Sequence, residues 1–194
     1  MKKYILACVV LCLTGMAVAA GNKPAAKSIP SLTFNGKKYY LQYSVGNSKE
    51  WLNEYLPAGA NFDSYTEMLT VRSYDSLKGV PPEQVAASIG GNYARNYPGA
   101  PYNVVKGTNP GEWEVSFAIR TDKMAEFDLF RIVSVGEHPV ALQYVNRVLL
   151  SGSEQNQEKQ LQQFAAGIQN NLNTSWTVGL RKMPVPPMVR TIKQ

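Results

Sequence analysis

Beyond its first twenty residues the chain has no cysteine, since Cys8 and Cys12 are the only two it contains. A segment without thiols forms no disulfide, offers no sulfur nucleophile and supplies no thiolate to a metal. Histidine is almost as scarce, with His138 alone, beside Pro139 in a predicted turn. One histidine does not make the usual zinc site, which takes several His or Cys ligands. A Ser-His-Asp triad would have to use His138, and no serine lies in a Gly-x-Ser-x-Gly elbow. No glycine-rich loop follows a strand to cradle phosphate, because Gly90-Gly91 falls inside a helical pattern. The acidic spacing of a calcium loop is also missing. The sequence therefore calls for no catalytic residue, no metal and no cofactor.

Charge clusters are lacking too. The 20 Lys and Arg outnumber the 14 Asp and Glu, for a formal net charge of +6, but no basic run exceeds Lys37-Lys38 or Arg181-Lys182. Nucleic-acid binding would want a basic stripe. A solvated surface of mixed charge is the expectation, with no nucleic-acid partner. There is no internal repeat and no second long apolar run.

The N-terminus carries the clearest address. Met1-Lys2-Lys3 leads into an apolar stretch from Tyr4 to Leu13, then into small residues ending Ala17-Val18-Ala19-Ala20. A charged start, a short apolar core and an Ala-x-Ala site are the parts of a secretory signal peptide. Residues 1–19 are read as that signal, with cleavage after Ala19 or Ala20. The apolar run is shorter than the roughly 20 residues a membrane-spanning helix needs. Cys8 comes too early for lipid attachment, and Cys12 follows Val10-Leu11 rather than small residues. The expected location is periplasmic, with release outside the cell as the alternative, and no transmembrane segment is expected after cleavage. Loss of Lys2 and Lys3 leaves 18 basic against 14 acidic residues.

About 175 residues remain, enough for one domain with a real core. Residues 20–31 read as a flexible arm, 32–175 as a single α+β domain, and 176–194 as a proline-containing tail that is not a regular helix. Asn35-Gly36 between Leu32-Thr33-Phe34 and Lys37–Tyr43 predicts a tight hairpin, with Tyr39, Leu41 and Tyr43 on one face. Extended segments follow at 50–56 and 65–74. Pro81-Pro82-Glu83 opens a helix whose Val85, Ile89, Tyr93 and Tyr97 share a face, weakened in the middle by Gly90-Gly91. Trp113, Val115, Phe117 and Ile119 alternate along a half-buried strand. Strands at 126–135 and 140–150 complete an antiparallel meander. A helix over 154–173 follows, with capping-box spacing at Ser151 and Glu154 and an apolar stripe of Leu161, Phe164, Ala165, Ile168 and Leu172. The order predicts a mostly antiparallel sheet flanked by helices.

The segment from Asn53 to Val71 runs from a polar strand through Pro57-Ala58-Gly59 to Phe62, Tyr65 and a second strand. With this order of elements it resembles the PsbP-like and DcrB-like families of exported proteins, and the likeness extends over about Leu32 to Asn173. The resemblance implies an α/β/α sandwich and an accessory or binding role with no particular active residue.

A few residues stand out as candidates. Arg131 falls among the apolar residues of its strand, as does Arg147; each needs an ion-pair partner or a wet pocket. Arg131 is expected at an edge position or in an ion pair with Glu126, Asp128 or Glu67, or else its guanidinium marks an anion site in a groove. Trp51 and Tyr55, with Phe62 and Tyr65, border the Pro57–Gly59 break as core residues or as a binding patch. Glu112 with Glu114, and Glu126 with Asp128, share strand faces and are expected to be solvated. Three functions follow: a non-enzymatic protein that binds a protein or envelope component, a small-ligand carrier using Arg131 or Arg147, and a cell-wall hydrolase working through paired acids.

Overall fold

The computed structural model describes residues 29–190. The segment read as a signal peptide, with its two cysteines, most of the expected arm and residues 191–194 lie outside that range.

One eight-stranded antiparallel sheet organises the chain, in the order β1-β2-β3-β4-β8-β7-β6-β5. The strands are β1 (Ser31–Phe34), β2 (Lys37–Gly46), β3 (Trp51–Pro57), β4 (Glu67–Ser73), β5 (Tyr102–Lys106), β6 (Trp113–Arg120), β7 (Met124–Val135) and β8 (His138–Leu149). The β1–β2 turn has positive φ at both Asn35 and Gly36, the backbone a two-residue type I′ turn requires. β7 and β8 pair along their whole twelve-residue length from a two-residue turn at Gly136-Glu137, so His138 opens a strand. Helix α1 (Pro82–Asn96) lies on one face of the sheet, the lower one. Helix α2 (Glu154–Asn171) runs through one π-turn (Leu172–Trp176) into α3 (Thr177–Lys182), and these lie on the upper face. Among the described residues no helix is long and apolar enough to cross a membrane.

Each face has its own core. Above, Tyr39, Tyr55, Leu69, Leu142 and Tyr144 meet Trp176, Leu180 and Met183. Below, Val115, Phe117, Ile132 and Ala141 meet Val85, Ala86 and Ile89 of α1. Because successive strand residues alternate faces, the long runs in β7 and β8 feed both cores at once.

The structure departs from the sequence reading in several places. The register slips between Leu41 and Tyr43 in a β-bulge, which turns Tyr43 away from the face shared by Tyr39 and Leu41. Tyr43 instead meets Phe62 edge-on, ring centres 6.4 Å apart. Such an extra residue flips every later side chain. β5 carries no strong periodic signal and was not predicted. Ser153, rather than Ser151, caps α2, accepting from the Asn156 amide at 3.4 Å. The stretch beyond residue 175, expected to hold no regular helix and to wrap the surface or hang free, forms helix α3 and then crosses the upper face over residues 183–190. Pro184, Pro186 and Pro187 explain why the helix stops at Lys182.

Candidate functional site

Two places on the sheet concentrate unusual chemistry, one on each face.

On the lower face, β7 and β8 place Glu126 opposite Arg147 and Asp128 opposite Val145. Asp128 is fully buried. It accepts a hydrogen bond from Gln143 Nε2 at 2.6 Å, and the Tyr93 hydroxyl of α1 stands 3.5 Å from its other oxygen. Burial, then the neighbouring Glu126 charge, pushes the Asp128 carboxyl well above the usual range. Burial raises Glu126 as well, against the pull of Arg147. A second carboxylate beside a buried one opposes its ionisation. Burial and the nearby acids also drive the Tyr93 and Tyr65 hydroxyls upward. Arg147 lies 3.5 Å over the Tyr65 ring and donates from Nε to the Tyr65 carbonyl at 3.0 Å. Glu126 and Asp128 are thus not the solvated pair that simple alternation suggests. Tyr93 and Phe117 cover Asp128's side of the sheet, stacked with centres 3.0 Å apart. The hydrolase reading needs two acids about 5–10 Å apart across a cleft, whereas this pair is in mutual contact with Asp128 sealed.

On the upper face the acids of the 112–114 stretch are engaged as well. Arg131 donates to Glu112 through Nε at 3.1 Å and NH2 at 2.5 Å, and through NH1 to the carbonyls of Leu180 and Met183 at 3.2 and 2.7 Å. Its partner is therefore Glu112, not Glu126, Asp128 or Glu67. Its Nε and NH2 are thus engaged by Glu112 and its NH1 by carbonyls at the end of α3. Burial tends to raise Glu112, but the bonds from Arg131 and Asn109 hold it below the usual carboxylate range. Arg181 makes a two-pronged pair with Glu114, at 2.5 and 2.8 Å. Glu67 accepts from Lys37 and from the hydroxyls of Tyr39 and Tyr144. Glu112 and Glu114 were expected on a solvated face; the C-terminal elements cover that face and account for both.

Trp51 and Tyr55 are buried on the upper face, while Phe62 and Tyr65 belong to the other side. The sheet itself divides the aromatic patch in two. Arg131 and Arg147 likewise point to opposite faces and share no pocket.

The concave feature lies beside α2. A groove of about 750 Å³ runs between α2 and the β6–β7 end of the upper face, closed on one side by the loop after α1. Ala118 and Ala125 form its floor, with Leu161, Phe164, Ala165 and Ile168 along the helix wall. The small floor residues create it: where Phe127 and Leu129 stand taller in the next positions, the sheet meets the C-terminal elements directly. No residue of α2 is fully buried, although its apolar stripe faces the sheet. Arg120 lines the groove, exposed, as does Glu158. The volume falls within the 300–1,000 Å³ usual for ligand sites. Sequence reasoning missed the groove because Ala118 and Arg120 read as the solvent side of a half-buried strand. The one available signal was small residues facing a predicted amphipathic helix. Among the described residues no three His, Cys, Asp or Glu side chains come close enough to hold a metal ion.

The fold and these sites define a single α+β domain with an antiparallel sheet between two sets of helices. The chain belongs to a protein family whose model matches residues 27–184. No curated protein matches it.

Proposed function

We propose that the chain is an exported, non-catalytic accessory protein that binds an apolar portion of a protein or envelope component in the groove beside α2. The observation that carries this is a helix with an apolar stripe and no fully buried residue, standing over a floor of alanines. Burying such a stripe is worth about 25 cal/mol per Å², and the domain leaves part of it unclaimed. The signal-like N-terminus supports export, and the likeness of the 53–71 segment to PsbP-like and DcrB-like proteins supports an accessory role. A photo-crosslinking residue placed at Ala165 in cells, with a second at Glu83 on the opposite side, tests it. A discrete adduct at 165 and none at 83 is expected. Equal labelling at both positions, or none at 165, removes the reading.

A carrier for a small amphiphile is the second reading, and Arg120 on the apolar groove favours it. Arg131 and Arg147, the residues first considered for that role, do not line this groove. Native mass spectrometry of the purified chain should then show a bound mass that Ala118→Trp expels.

A further inference from the structure

The segment after α3 is held on the upper face in a manner that differs from the rest of the fold. It forms no strand and joins no ladder. Val185 and Met188 pack against the upper core, and side chains of the sheet read its backbone. Asn53 is fully buried, and its amide meets Val189 at both backbone groups. Oδ1 accepts from the Val189 N–H at 2.8 Å, and Nδ2 donates to the Val189 carbonyl at 2.8 Å. The Ser44 hydroxyl donates to the same carbonyl at 2.8 Å, and Asn53 Nδ2 in turn reaches Ser44 Oγ at 2.9 Å. A buried side-chain amide that matches one peptide unit in both directions does what a neighbouring strand would do, at a single residue.

The next residue is read by charge. Arg190 pairs with Asp75 at 2.8 Å and stacks 5.6 Å above the Trp51 ring. Burial tends to raise Asp75, but hydrogen bonds from Ser73 and Arg190 and the Arg190 charge hold it below the usual range. Upstream, Pro184, Pro186 and Pro187 keep the segment extended before it docks, so little chain entropy is lost on seating. Arg131 fixes the Met183 carbonyl, which makes Met183-Pro184 the point where the anchored and the seated parts divide.

We infer that Asn53, Ser44, Trp51 and Asp75 form a recognition site for an extended, proline-rich peptide in which an apolar residue precedes an arginine, occupied in cis by residues 184–190. The backbone contacts and the packing of Val185 and Met188 against the upper core supply affinity, and the Asp75–Trp51 corner supplies selectivity for the cation. Release of the segment leaves all eight strands paired, since none of its hydrogen bonds belongs to the sheet ladder. A peptide of the same chemistry, from a partner or another copy, fits the vacated seat. This site lies over β2 and β3, apart from the groove beside α2, and does not depend on the function proposed for that groove.

The test uses the full chain and a fluorescently labelled synthetic peptide with the sequence of residues 183–190. In the unaltered chain the tethered segment outcompetes the peptide, as its local concentration is of millimolar order. Val189→Pro removes the N–H that Asn53 accepts and opens the seat. Anisotropy titration should show binding at least about tenfold tighter to V189P than to the unaltered chain, as expected when the competent fraction rises. Adding Asn53→Ala to V189P should abolish the gain, and a peptide with Glu in place of the arginine should bind more weakly. Equal affinity for the unaltered chain and V189P, or a gain indifferent to Asn53→Ala, overturns the proposal. Should V189P lose its native circular dichroism, Arg190→Asp, which sets two carboxylates against each other at Asp75, opens the seat instead and is judged by the same criteria.

Discussion

Helices α1 and α2 carry similar amphipathic patterns, yet the sheet receives them differently. α1 buries Pro82, Val85, Ala86, Ile89 and Gly90, whereas α2 buries none of its eighteen residues. The difference lies partly in how close each can come. A methyl group at Gly90 would stand 2.7 Å from Val104 and 3.2 Å from Tyr102. The glycine therefore lets β5 press against the helix, and the Gly90-Gly91 pair that looks like a weak point in the sequence is a contact. A methyl at Gly167 of α2 would meet nothing within 4 Å. Amphipathicity shows which side of a helix turns inward; the size of the opposing residues decides whether that side is closed. The lower cover is held by apolar packing, and the upper one adds ion pairs to the packing of Trp176, Leu180 and Met183.

The largest expected effect breaks the upper cover at its charge. Glu112→Ala strands the Arg131 guanidinium in a buried site and should cost about 3 kcal/mol in urea denaturation. The cost should grow toward neutral pH. Glu112's folded pKa is depressed, so its contribution is present above the ordinary Glu range and is lost as pH falls through the folded value. The next effect contrasts the helices. Ile89→Ala should cost about 2–4 kcal/mol and Ile168→Ala less than about 1, measured as a pair by chemical denaturation. A smaller effect separates the faces by pH. The raised Asp128 pKa means stability is greatest below the ordinary Asp range and declines as pH rises through the folded value. Asp128→Asn removes that decline, so a gain on the order of 1 kcal/mol at pH 8, shrinking on acidification, is expected. Smallest of all, Gly167→Ala should raise stability by about 0.5–1 kcal/mol through helix propensity. Gly90→Ala should show no such gain in a thermal melt, because the close contact opposes it.

Most of the fold was legible from periodicity. The Asn35-Gly36 turn, the alternation from Trp113 to Ile119 and the stripe on α2 each fix an element locally, and the structure keeps them. What escaped depends on distant partners. Glu114 and Asp128 occupy alternating positions of neighbouring strands and look alike in sequence. One is covered by α3 and the other by α1, and no local pattern announces either cover. Arg131 was recognisable as a charge needing a partner, but Glu112 lies nineteen positions earlier and qualifies only because β6 and β7 pair in this register. The bulge after Leu41 left no mark, since the surrounding tyrosines suit either face. The groove was hidden for a related reason. It is an effect of what alanines fail to fill, and absence of bulk carries meaning only after the opposing helix is in place.

The two outermost strands are the shortest of the sheet, four residues in β1 and five in β5, against twelve in β7 and in β8. Pro30 and Pro101 stand just before them and interrupt the run of backbone donors. A foreign strand arriving at either border finds a rail too brief to propagate along. β1 covers Lys37–Tyr40 of the longer β2, so the sheet ends there in a short outer strand rather than a full-length one. Outer strands this short limit the length over which two copies could pair edge to edge.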